Sequence, residues 1–511
     1  MSQSLIAALQ NPALFPHPVE GFQVIETHIS WVLLTGPYVY KIKKPMNFGF
    51  LDFTTLAARE HFCHEELRLN QRLTQDLYLE VIPLTGSAEA PQLGGVGEPI
   101  EFALKMRQFP QSGLLSTVQA NGDLHSAQID ELAEQIAQFH LSAPKVGTET
   151  ELGSPESVMA PVAQNFEQIR PFISEKTDLQ QLDALEAWAQ SSFERLRPLL
   201  VQRKAEGFIR ECHGDIHLGN AALIDGKVVL FDCIEFNEPF RKTDVYADIG
   251  FLAMDLEDRG LKALSNRLIS RYLELTGDYQ GLELLNFYKA YRAMVRAKVA
   301  LFGLGADADA ERRASVLAQY RNYANLAESY SAVPSRFLAI THGVSASGKS
   351  HVAQRLVEDL GAIRIRSDVE RQRLYADDAS RYASQASEAT YQRLNDLAGH
   401  VLHAGFSVVL DATYLKQAQR QAAAQVAENS GVPFLILDCE APQEIIEQWL
   451  QQRQAEGGDP SQATLEVVKA QQANREPLSA EEVLSSKRVQ THVANELDSL
   501  ADDLRRRLPG L

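Results

Sequence analysis

The 511-residue sequence predicts two domains of different fold class, an α+β domain followed by an α/β domain with a parallel sheet. The length exceeds what one hydrophobic core usually serves, and 45% hydrophobic residues are enough for several cores. Strand-like segments are concentrated before residue 108, whereas short apolar segments alternate with helical ones after residue 336. The helical pattern breaks at SAVPS, residues 331–335. We therefore predict domains at 1–330 and 331–511.

The N-terminal domain begins with a small predicted sheet that carries one helix. Two strand-like segments, ETHISWVLLT and YVYKIKK, flank a turn at Gly36-Pro37. Apolar residues at helical spacing follow from Leu56 to Thr74, and EFALKMRQF is a further strand. Helices dominate after these strands, apart from the hairpin-like segment AALIDGKVVLFDCIEF. The sequence thus predicts a small lobe at about 1–108 and a large lobe at about 109–330.

The C-terminal domain shows alternating strand and helix patterns. Its strand-like segments are FLAITHG, RIRSD, FSVVLDAT and PFLILDCE. Helices are predicted from Lys349, near 388–404, after the third strand, and from the fourth strand to the end of the chain. Alternation of this kind is typical of a parallel sheet covered by helices.

The composition bears on the partners of the protein. A formal net charge of −18 argues against general binding to nucleic acid or to a membrane surface, because both need clustered Lys and Arg. No apolar segment approaches the roughly 18 residues of a membrane span, and the N-terminus lacks the pattern of a signal peptide. We therefore expect a cytoplasmic protein with no membrane partner, and nucleic acid is not an expected partner.

The segment HGDIHLGN, residues 213–220, begins a group of residues suited to phosphoryl transfer. Such a site needs a carboxylate that orients the attacking hydroxyl, a carboxylate and an amide that hold magnesium, and a cation on the nucleotide phosphates. Asp215 and Asn220 have the spacing of the catalytic-loop Asp and Asn of protein kinases. Asp232 closes the hairpin that follows, where a second magnesium-binding carboxylate is expected.

The phosphate-binding cation is expected on an upstream strand, with an acidic partner on the next helix. Lys41 and Lys43 point to the same face of one strand, so periodicity does not choose between them. Lys41 is preferred, because its placing resembles that of the lysine in the V-A-I-K pattern of protein kinases. Glu66 is the expected acidic partner, and Glu65 is the alternative.

The pattern H-G-D-x-H-x-x-N, followed by the Asp of FDCIEF, resembles the aminoglycoside phosphotransferase family. These kinase-like enzymes phosphorylate hydroxyl groups of small molecules, including antibiotics, sugars and choline. The resemblance covers about residues 20–330 and implies an α+β bilobal kinase-like domain that uses ATP and Mg²⁺. The roles it implies are catalytic base for Asp215, magnesium ligands for Asn220 and Asp232, and structural roles for Asp244 and Asp248.

A second phosphate-binding signature, GVSASGKS at 343–350, follows an apolar strand and precedes a helix. In such a P-loop, backbone N–H groups and the lysine hold the phosphates, and the final serine binds magnesium. Asp411 ends the strand FSVVL, where a magnesium-binding carboxylate is expected. The residues predicted to bind the nucleotide are Gly343, Ser345, Ala346, Ser347, Gly348, Lys349 and Ser350.

The segment RSDVER, which follows the second strand of this domain, resembles polynucleotide kinase, gluconate kinase and the zeta-toxin-type kinases. By this resemblance Asp368 is the base for the acceptor hydroxyl and Arg371 grips the substrate. Arg453 fits the lid arginine that neutralises charge on the transferring group. Asp368 as a helix cap and Arg453 as a solvated helix residue are the alternatives. The order of the two domains resembles bacterial fusions of an aminoglycoside phosphotransferase-like domain with a P-loop ATPase.

These observations predict a bifunctional ATP-dependent phosphotransferase that acts on hydroxyl groups of small molecules such as sugars or nucleotide-sugars. One alternative is a regulatory protein that binds ATP and transfers little phosphate. Another is a nucleic-acid end kinase, which the net charge and the lack of an aromatic-basic surface disfavour. The arginines that would support this last alternative are Arg364, Arg366, Arg371, Arg373 and Arg381.

Overall fold

A computed structural model describes residues 2–305, 308–375, 384–456 and 463–508. The chain forms two compact units. The first unit comprises residues 1–131, 138–165 and 193–255, and the second comprises residues 132–137, 166–192 and 256–511. These units do not follow the boundary predicted at residue 331, because the helices from residue 256 onward group with the C-terminal sheet. As a division between two folds, that boundary stays a prediction.

The first unit begins with a six-stranded antiparallel sheet in the order β1-β2-β3-β6-β4-β5. Its strands are β1 (Gln23–Glu26), β2 (Ser30–Leu34), β3 (Tyr38–Lys43), β4 (Tyr78–Gly86), β5 (Pro91–Leu93) and β6 (Glu101–Arg107). Two strands were expected before residue 44, whereas the structure has three. The Thr27 hydroxyl accepts the Ser30 N–H at 2.9 Å, which closes a turn inside the first expected strand.

Helix α1 (Ser2–Ala8) precedes this sheet, and helix α2 (Leu56–Gln71) lies between β3 and β4. The Thr55 hydroxyl caps α2 by accepting the Ala58 N–H at 3.1 Å. Glu66, Leu69 and Asn70 lie on the buried face of α2. Glu66, the expected partner of the phosphate-binding lysine, therefore lies on the buried face of α2.

The chain between residues 115 and 258 is mainly helical and includes two short β-ribbons. Its elements are α3 (Leu115–Ala120), α4 (Ser126–Ser142), α5 (Pro155–Ile169), α6 (Lys176–Glu206), β7 (Ile209–Glu211), β8 (Ala221–Ile224), β9 (Lys227–Leu230), α7 (Glu238–Arg241), β10 (Lys242–Asp244) and α8 (Val245–Asp258). The predicted hairpin is the antiparallel pair β8-β9. Its turn, Asp225-Gly226, has φ values of 52° and 78°, as a type I′ turn requires. In sequence, this hairpin lies between the segment at residues 213–220 and Asp232.

The second unit contains a five-stranded parallel sheet in the order β12-β13-β11-β14-β15. Its strands are β11 (Leu338–His342), β12 (Ile363–Arg366), β13 (Val408–Asp411), β14 (Phe434–Glu440) and β15 (Ser486–Gln490). Its helices from residue 262 are α9 (Lys262–Thr276), α10 (Leu282–Phe302), α11 (Ala310–Ser329), α12 (Lys349–Leu360), α13 (Ser367–Leu374), α14 (Ser384–His403), α15 (Gln417–Asn429), α16 (Gln443–Glu456), α17 (Leu465–Asn474), α18 (Ala480–Leu484) and α19 (Ala494–Arg507). The parallel sheet confirms the predicted fold class of the C-terminal part.

The position of β11 in this sheet determines where ligands can bind. It lies between β13 and β14, and its hydrophobic neighbours Phe337, Val352 and Leu437 are fully buried. Parallel strands end at the same edge, so the segments after β11, β12 and β13 lie together. None of the described helices has the length and hydropathy that a membrane crossing needs.

Candidate active sites

In the first unit, the loop at residues 213–220, the candidate catalytic loop, holds Asp215 in place while leaving its carboxylate accessible. Asn220 Nδ2 donates to the backbone carbonyl and to Oδ2 of Asp215, both at 3.0 Å. His217 Nε2 lies 3.4 Å from the same carboxylate oxygen. The Asp215 side chain is 35% exposed, so a hydroxyl group from solvent can reach it.

Two buried carboxylates of α8 hold the backbone of this loop. Asp248 accepts the N–H groups of His213 and Gly214, both at 2.8 Å. Burial raises its pKa, but the hydrogen bonds from His140 and the loop backbone outweigh this and lower it. Asp255 accepts the Leu218 N–H at 3.0 Å. Asp248 thus has the contacts of a structural residue, and Asp255 is a scaffold residue that the sequence did not reveal.

Two further side chains of the first unit have contacts typical of structural residues. Asp244 forms a buried ion pair with Arg203, with an Nε to Oδ2 distance of 2.7 Å. His213 Nε2 lies 2.9 Å from the Phe231 carbonyl, and burial lowers the pKa of this imidazole. His213 therefore bonds to the backbone as a neutral side chain, which fits a structural role better than proton transfer.

Lys41 contacts both Glu66, the expected acidic partner on α2, and Asp232, an expected magnesium ligand. Its Nζ lies 2.7 Å from Glu66 Oε1 and 2.9 Å from Asp232 Oδ1. Glu65, the alternative partner, bonds to Arg68 instead. Burial opposes the charge on both members of the Lys41–Glu66 pair. The two lysines of β3 nevertheless lower the pKa of Glu66 to about 2, and Asp232 and Glu66 raise the pKa of Lys41.

Asn220 and Asp232 have oxygen atoms that suit a magnesium ion. Asn220 directs its Nδ2 at Asp215, which leaves Oδ1 as the amide atom for a cation. Asp232 has a φ of 65°, a strained conformation for a non-glycine residue, and its side chain is 42% exposed. Strain of this kind occurs often where a side chain is fixed for function. Carboxylate and amide oxygens are ligands that Mg²⁺ prefers.

In the second unit, residues 343–350 connect β11 to α12 as a close-packed loop. Gly343 has a φ of 146°, and a Cβ on it would lie 2.7 Å from the Cys439 carbonyl oxygen. Gly348 has a φ of 81°, and a Cβ on it would lie 2.5 Å from the Thr491 side chain. Only glycine fits these two positions. The Thr491 hydroxyl also donates to the Ser347 carbonyl at 2.7 Å, so Thr491 supports the loop.

A cleft of about 840 Å³ lies beside this loop in the second unit. Lys349, Ser350, Asp368, Arg371 and Asp411 all line it. They come from three segments, at the ends of β11, β12 and β13, which the parallel sheet brings to one edge. The structure thus places the phosphate loop and the two residues expected to bind the acceptor around the same space.

Two buried oxygen atoms near the loop suit magnesium and phosphate chemistry. Asp411 Oδ2 and Ser347 Oγ have no hydrogen-bond partner within the part of the chain that the structure describes. A buried carboxylate oxygen without a partner is costly unless a cation or water binds it. Asp411 and Ser350 therefore fit a magnesium ion, and Lys349 stands at the same cleft with its Nζ 2.6 Å from the Val344 carbonyl.

The two residues expected to bind the acceptor are a carboxylate and an adjacent cation in the cleft. Arg371 Nη1 lies 3.6 Å from Asp368 Oδ1 in the first turns of α13. The Tyr391 hydroxyl lies 3.1 Å from Thr413 Oγ1 and also lines the cleft. Arg453 belongs to α16, but its side chain lies outside the described residues, as does Arg381.

Most of the arginines that a nucleic-acid site would need have acidic partners in the second unit. Glu274 of α9 lies 2.9 Å from Arg364 Nη2 and 3.1 Å from Arg366 Nη1. Arg373 forms an ion pair with the buried Glu370. These arginines balance buried carboxylates, which removes much of the charge that a polyanion would recognise.

One further contact to the phosphate loop was missed by the sequence analysis. Gln471 of α17 accepts the Ser345 N–H on its Oε1 at 2.7 Å. A single glutamine in a polar helix gives no signal in the sequence. Thr491 could not be predicted either, because it follows β15, a strand that the sequence pattern did not reveal.

Comparisons with known proteins match two separate segments of the chain. The family model "Phosphotransferase enzyme family" matches residues 61–285, and the model "AAA domain" matches residues 338–478. A choline/ethanolamine kinase family protein from Mesorhizobium loti shares 11% identity over 64% of this chain and 99% of its own, with a TM-score of 0.38. Kti12 from Chaetomium thermophilum shares 16% identity over 34% of this chain and 100% of its own, with a TM-score of 0.28.

Two mycobacterial proteins are similar over nearly the whole chain. They are the "Uncharacterized protein Rv2004c" of Mycobacterium tuberculosis and the "Uncharacterized protein Mb2027c" of Mycobacterium bovis. Each is 30% identical over 475 residues, which cover 89% of this chain and 91% of the relative. The chain therefore belongs to the family of these proteins and is an ATP-dependent kinase in which a phosphotransferase-family domain precedes a P-loop kinase domain.

Proposed function

We propose that the protein is a bifunctional phosphotransferase with one Mg-ATP site in each compact unit. Its acceptors are hydroxyl groups of small molecules, such as sugars or nucleotide-sugars. The observation that supports this proposal is that each unit contains its own set of the residues expected to bind phosphate, magnesium and acceptor. The sets are Lys41, Glu66, Asp215, Asn220 and Asp232 in the first unit, and residues 343–350, Asp368, Arg371 and Asp411 in the second.

At the first site, Asp215 accepts the proton of the acceptor hydroxyl, which its exposed carboxylate can contact. Asn220 and Asp232 hold the magnesium ion through oxygen atoms. Lys41, fixed by Glu66, binds the nucleotide phosphates. When bound, MgATP would supply the phosphoryl group and leave as ADP, and the magnesium ion would neutralise the charge that develops during transfer.

At the second site, the loop 343–350 offers backbone N–H groups and Lys349 to the phosphates. Ser350 and Asp411 hold magnesium, and Asp368 accepts the acceptor proton. Arg371, beside Asp368, binds the acceptor. Arg453 keeps the role that its sequence position suggests, neutralising charge on the transferring group.

An ADP-release screen against a library of hydroxyl-containing metabolites tests the proposal. The full chain is compared with Asp215→Asn, Asp368→Asn and the surface control Asp498→Asn, which replaces an exposed carboxylate. We expect some compounds to lose turnover only in Asp215→Asn and others only in Asp368→Asn.

Other results of the screen would support the alternatives. ATP binding with no acceptor-dependent ADP release from any compound would contradict the transferase and favour an ATP-switched regulator. Release that depends only on 5′-hydroxyl oligonucleotides and falls with salt would favour an end kinase.

A further inference from the structure

Five charged side chains of the first unit form a continuous line with alternating sign. Asp232 contacts Lys41, Lys41 contacts Glu66, Glu66 contacts Lys43, and Lys43 contacts Glu235. The proposed chemistry uses Asp232, Lys41 and Glu66. Lys43 and Glu235 have no part in it, although both are ionisable side chains buried in the interior.

The two lysines of β3 differ in how deeply their side chains are buried. The Lys43 side chain is 1% exposed and that of Glu235 is 4% exposed, whereas Lys41 is 15% exposed. Lys43 Nζ also lies 4.9 Å from the centre of the buried Phe53 ring. A nucleotide phosphate cannot reach Lys43 without displacing this packing. Lys41 is therefore the lysine available to phosphate.

The two oxygens of Glu66 are divided between the two lysines. Oε1 lies 2.7 Å from Lys41 Nζ, and Oε2 lies 2.7 Å from Lys43 Nζ. Rotation about the last bond of a glutamate side chain has a broad energy minimum, so one hydrogen bond alone fixes the carboxylate poorly. The second bond, from Lys43, fixes this rotation and directs Oε1 at Lys41.

Glu235 connects this arrangement to the magnesium-binding segment. It stands three residues after Asp232, and its backbone carbonyl accepts a hydrogen bond from Arg241 Nη1 at 3.0 Å. Its side chain pairs with Lys43 on β3. The Lys43–Glu235 pair therefore ties the strand that carries Lys41 to the segment that carries Asp232.

We propose that Lys43, held by Glu235, is a positioning residue that fixes Glu66 and thereby places Lys41 for the nucleotide phosphates. This inference rests on the proposed function of the first site. Buried ion pairs are often no more stabilising than apolar residues of similar size, so stability alone does not explain the pair. Positioning predicts a loss of nucleotide affinity that persists when stability is restored.

The test measures MgATP affinity by calorimetry and melting temperature in full-length protein. All variants carry Lys349→Ala, so that the P-loop site does not contribute to the signal. They are Lys41→Met, Lys43→Met, the double variant Lys43→Met/Glu235→Leu, and Lys44→Met. Lys44→Met is the matched control, because Lys44 pairs only with the exposed Glu26 among its acidic neighbours in the described chain.

We expect Lys43→Met to weaken MgATP binding roughly tenfold or more, the scale of losing a hydrogen bond to a charged group. Lys43→Met also leaves Glu235 buried without its cation, so its melting temperature falls. The double variant removes both charges and regains most of the melting temperature, while its MgATP affinity stays weak. Lys44→Met binds MgATP like the parent.

Two results would overturn this inference while leaving the proposed function of the first site intact. One is recovery of MgATP affinity together with stability in the double variant, since the pair would then have only a structural role. The other is an affinity of folded Lys43→Met or of the double variant equal to that of Lys44→Met. If Lys41→Met itself bound MgATP normally, the proposed first site would fail, and the positioning role would fail with it.

Discussion

At the scale of single residues, the catalytic loop of the first unit depends on side chains that bond its backbone. Asp248 and Asp255 accept three loop N–H groups between them, and His213 bonds to a carbonyl. These contacts fix the loop before any reactant arrives, so little reorganisation remains at the moment of transfer. Asp215 is left as the carboxylate that an acceptor hydroxyl can reach.

Replacing Asp215 should affect phosphoryl transfer without affecting nucleotide binding. We expect Asp215→Asn to lower acceptor phosphorylation at the first site by roughly 100-fold or more, the usual scale for a positioned base. MgATP affinity should change little, because Lys41 and Asp232 do not depend on the Asp215 charge. Steady-state kinetics with a first-site acceptor, together with calorimetry, measure both quantities. Turnover like that of the parent would remove Asp215 from the role of base.

His342, at the end of β11, gives a prediction for pH. Its Nε2 accepts from Arg475 Nε at 3.0 Å, and its Nδ1 lies 3.0 Å from the Tyr414 carbonyl. Burial and the Arg475 charge lower the pKa of His342 to about 4, so the folded protein favours the neutral ring. The unfolded chain therefore binds a proton between about pH 6.5 and 4 that the folded chain does not.

The free energy of unfolding should accordingly fall as the pH is lowered through this range, and the loss from His342 should level off below pH 4. We expect the decrease to be smaller in His342→Gln, which keeps a carbonyl oxygen that can accept from Arg475. Denaturant titrations of both proteins at several pH values measure the difference. Equal slopes for the two proteins would show that His342 does not titrate as described.

At the scale of elements, the phosphate loop requires two glycines for steric reasons. We expect Gly348→Ala to weaken MgATP binding at the second site, because a Cβ would meet Thr491 at 2.5 Å and the φ of 81° is strained for alanine. Gly399→Ala is the control, since Gly399 lies within α14 and a Cβ there meets nothing within 4 Å. Calorimetry in a Lys41→Met background isolates this site. Equal affinity in both variants would contradict the loop geometry.

Strand β12 is an edge strand that α9 partly covers within the second unit. Ser270 Oγ accepts the Arg364 N–H at 3.2 Å, and Glu274 pairs with Arg364 and Arg366. The unpaired N–H groups of an edge strand can pair with a strand of another molecule. Contacts from α9 therefore protect β12 from such pairing. Helix α9 lies inside the segment that the phosphotransferase family model matches.

Removing the Glu274 charge tests this contact. Glu274→Gln leaves two largely buried guanidinium groups without their carboxylate, which typically costs about 3 kcal/mol or more. We expect faster hydrogen exchange in peptides covering residues 361–375, and no change in Glu311→Gln, an exposed site on α11. Unchanged exchange at 361–375 would show that α9 does not stabilise β12.

The elements that the sequence predicted well have strong apolar patterns, and those it missed do not. Strand β11 is buried along its whole length, whereas β15, with the sequence SKRVQ, buries only Val489 and was predicted as helix. The motifs located both sites, because their spacing is local. The supports from Asp255, Gln471 and Thr491 come from distant segments and have no local signature. The strand period places Lys41 and Lys43 on one face, so only their burial in the fold separates them.

At the scale of the whole molecule, we propose that each of the two units binds one nucleotide within a single acidic chain of net charge −18. The Lys41–Asp232 contact and the 343–350 loop lie in different units. Loss of one group should therefore leave nucleotide binding by the other intact, because sites without shared partners usually behave independently.

The most direct measurement of this central claim is the stoichiometry of MgATP binding to the full-length protein by calorimetry. We predict two sites per chain, one in Lys41→Met, one in Lys349→Ala, and none in the double variant. The surface variant Lys44→Met should keep both sites. A single site in the parent protein, or a site count that Lys41→Met and Lys349→Ala leave unchanged, would contradict the account of two independent nucleotide sites.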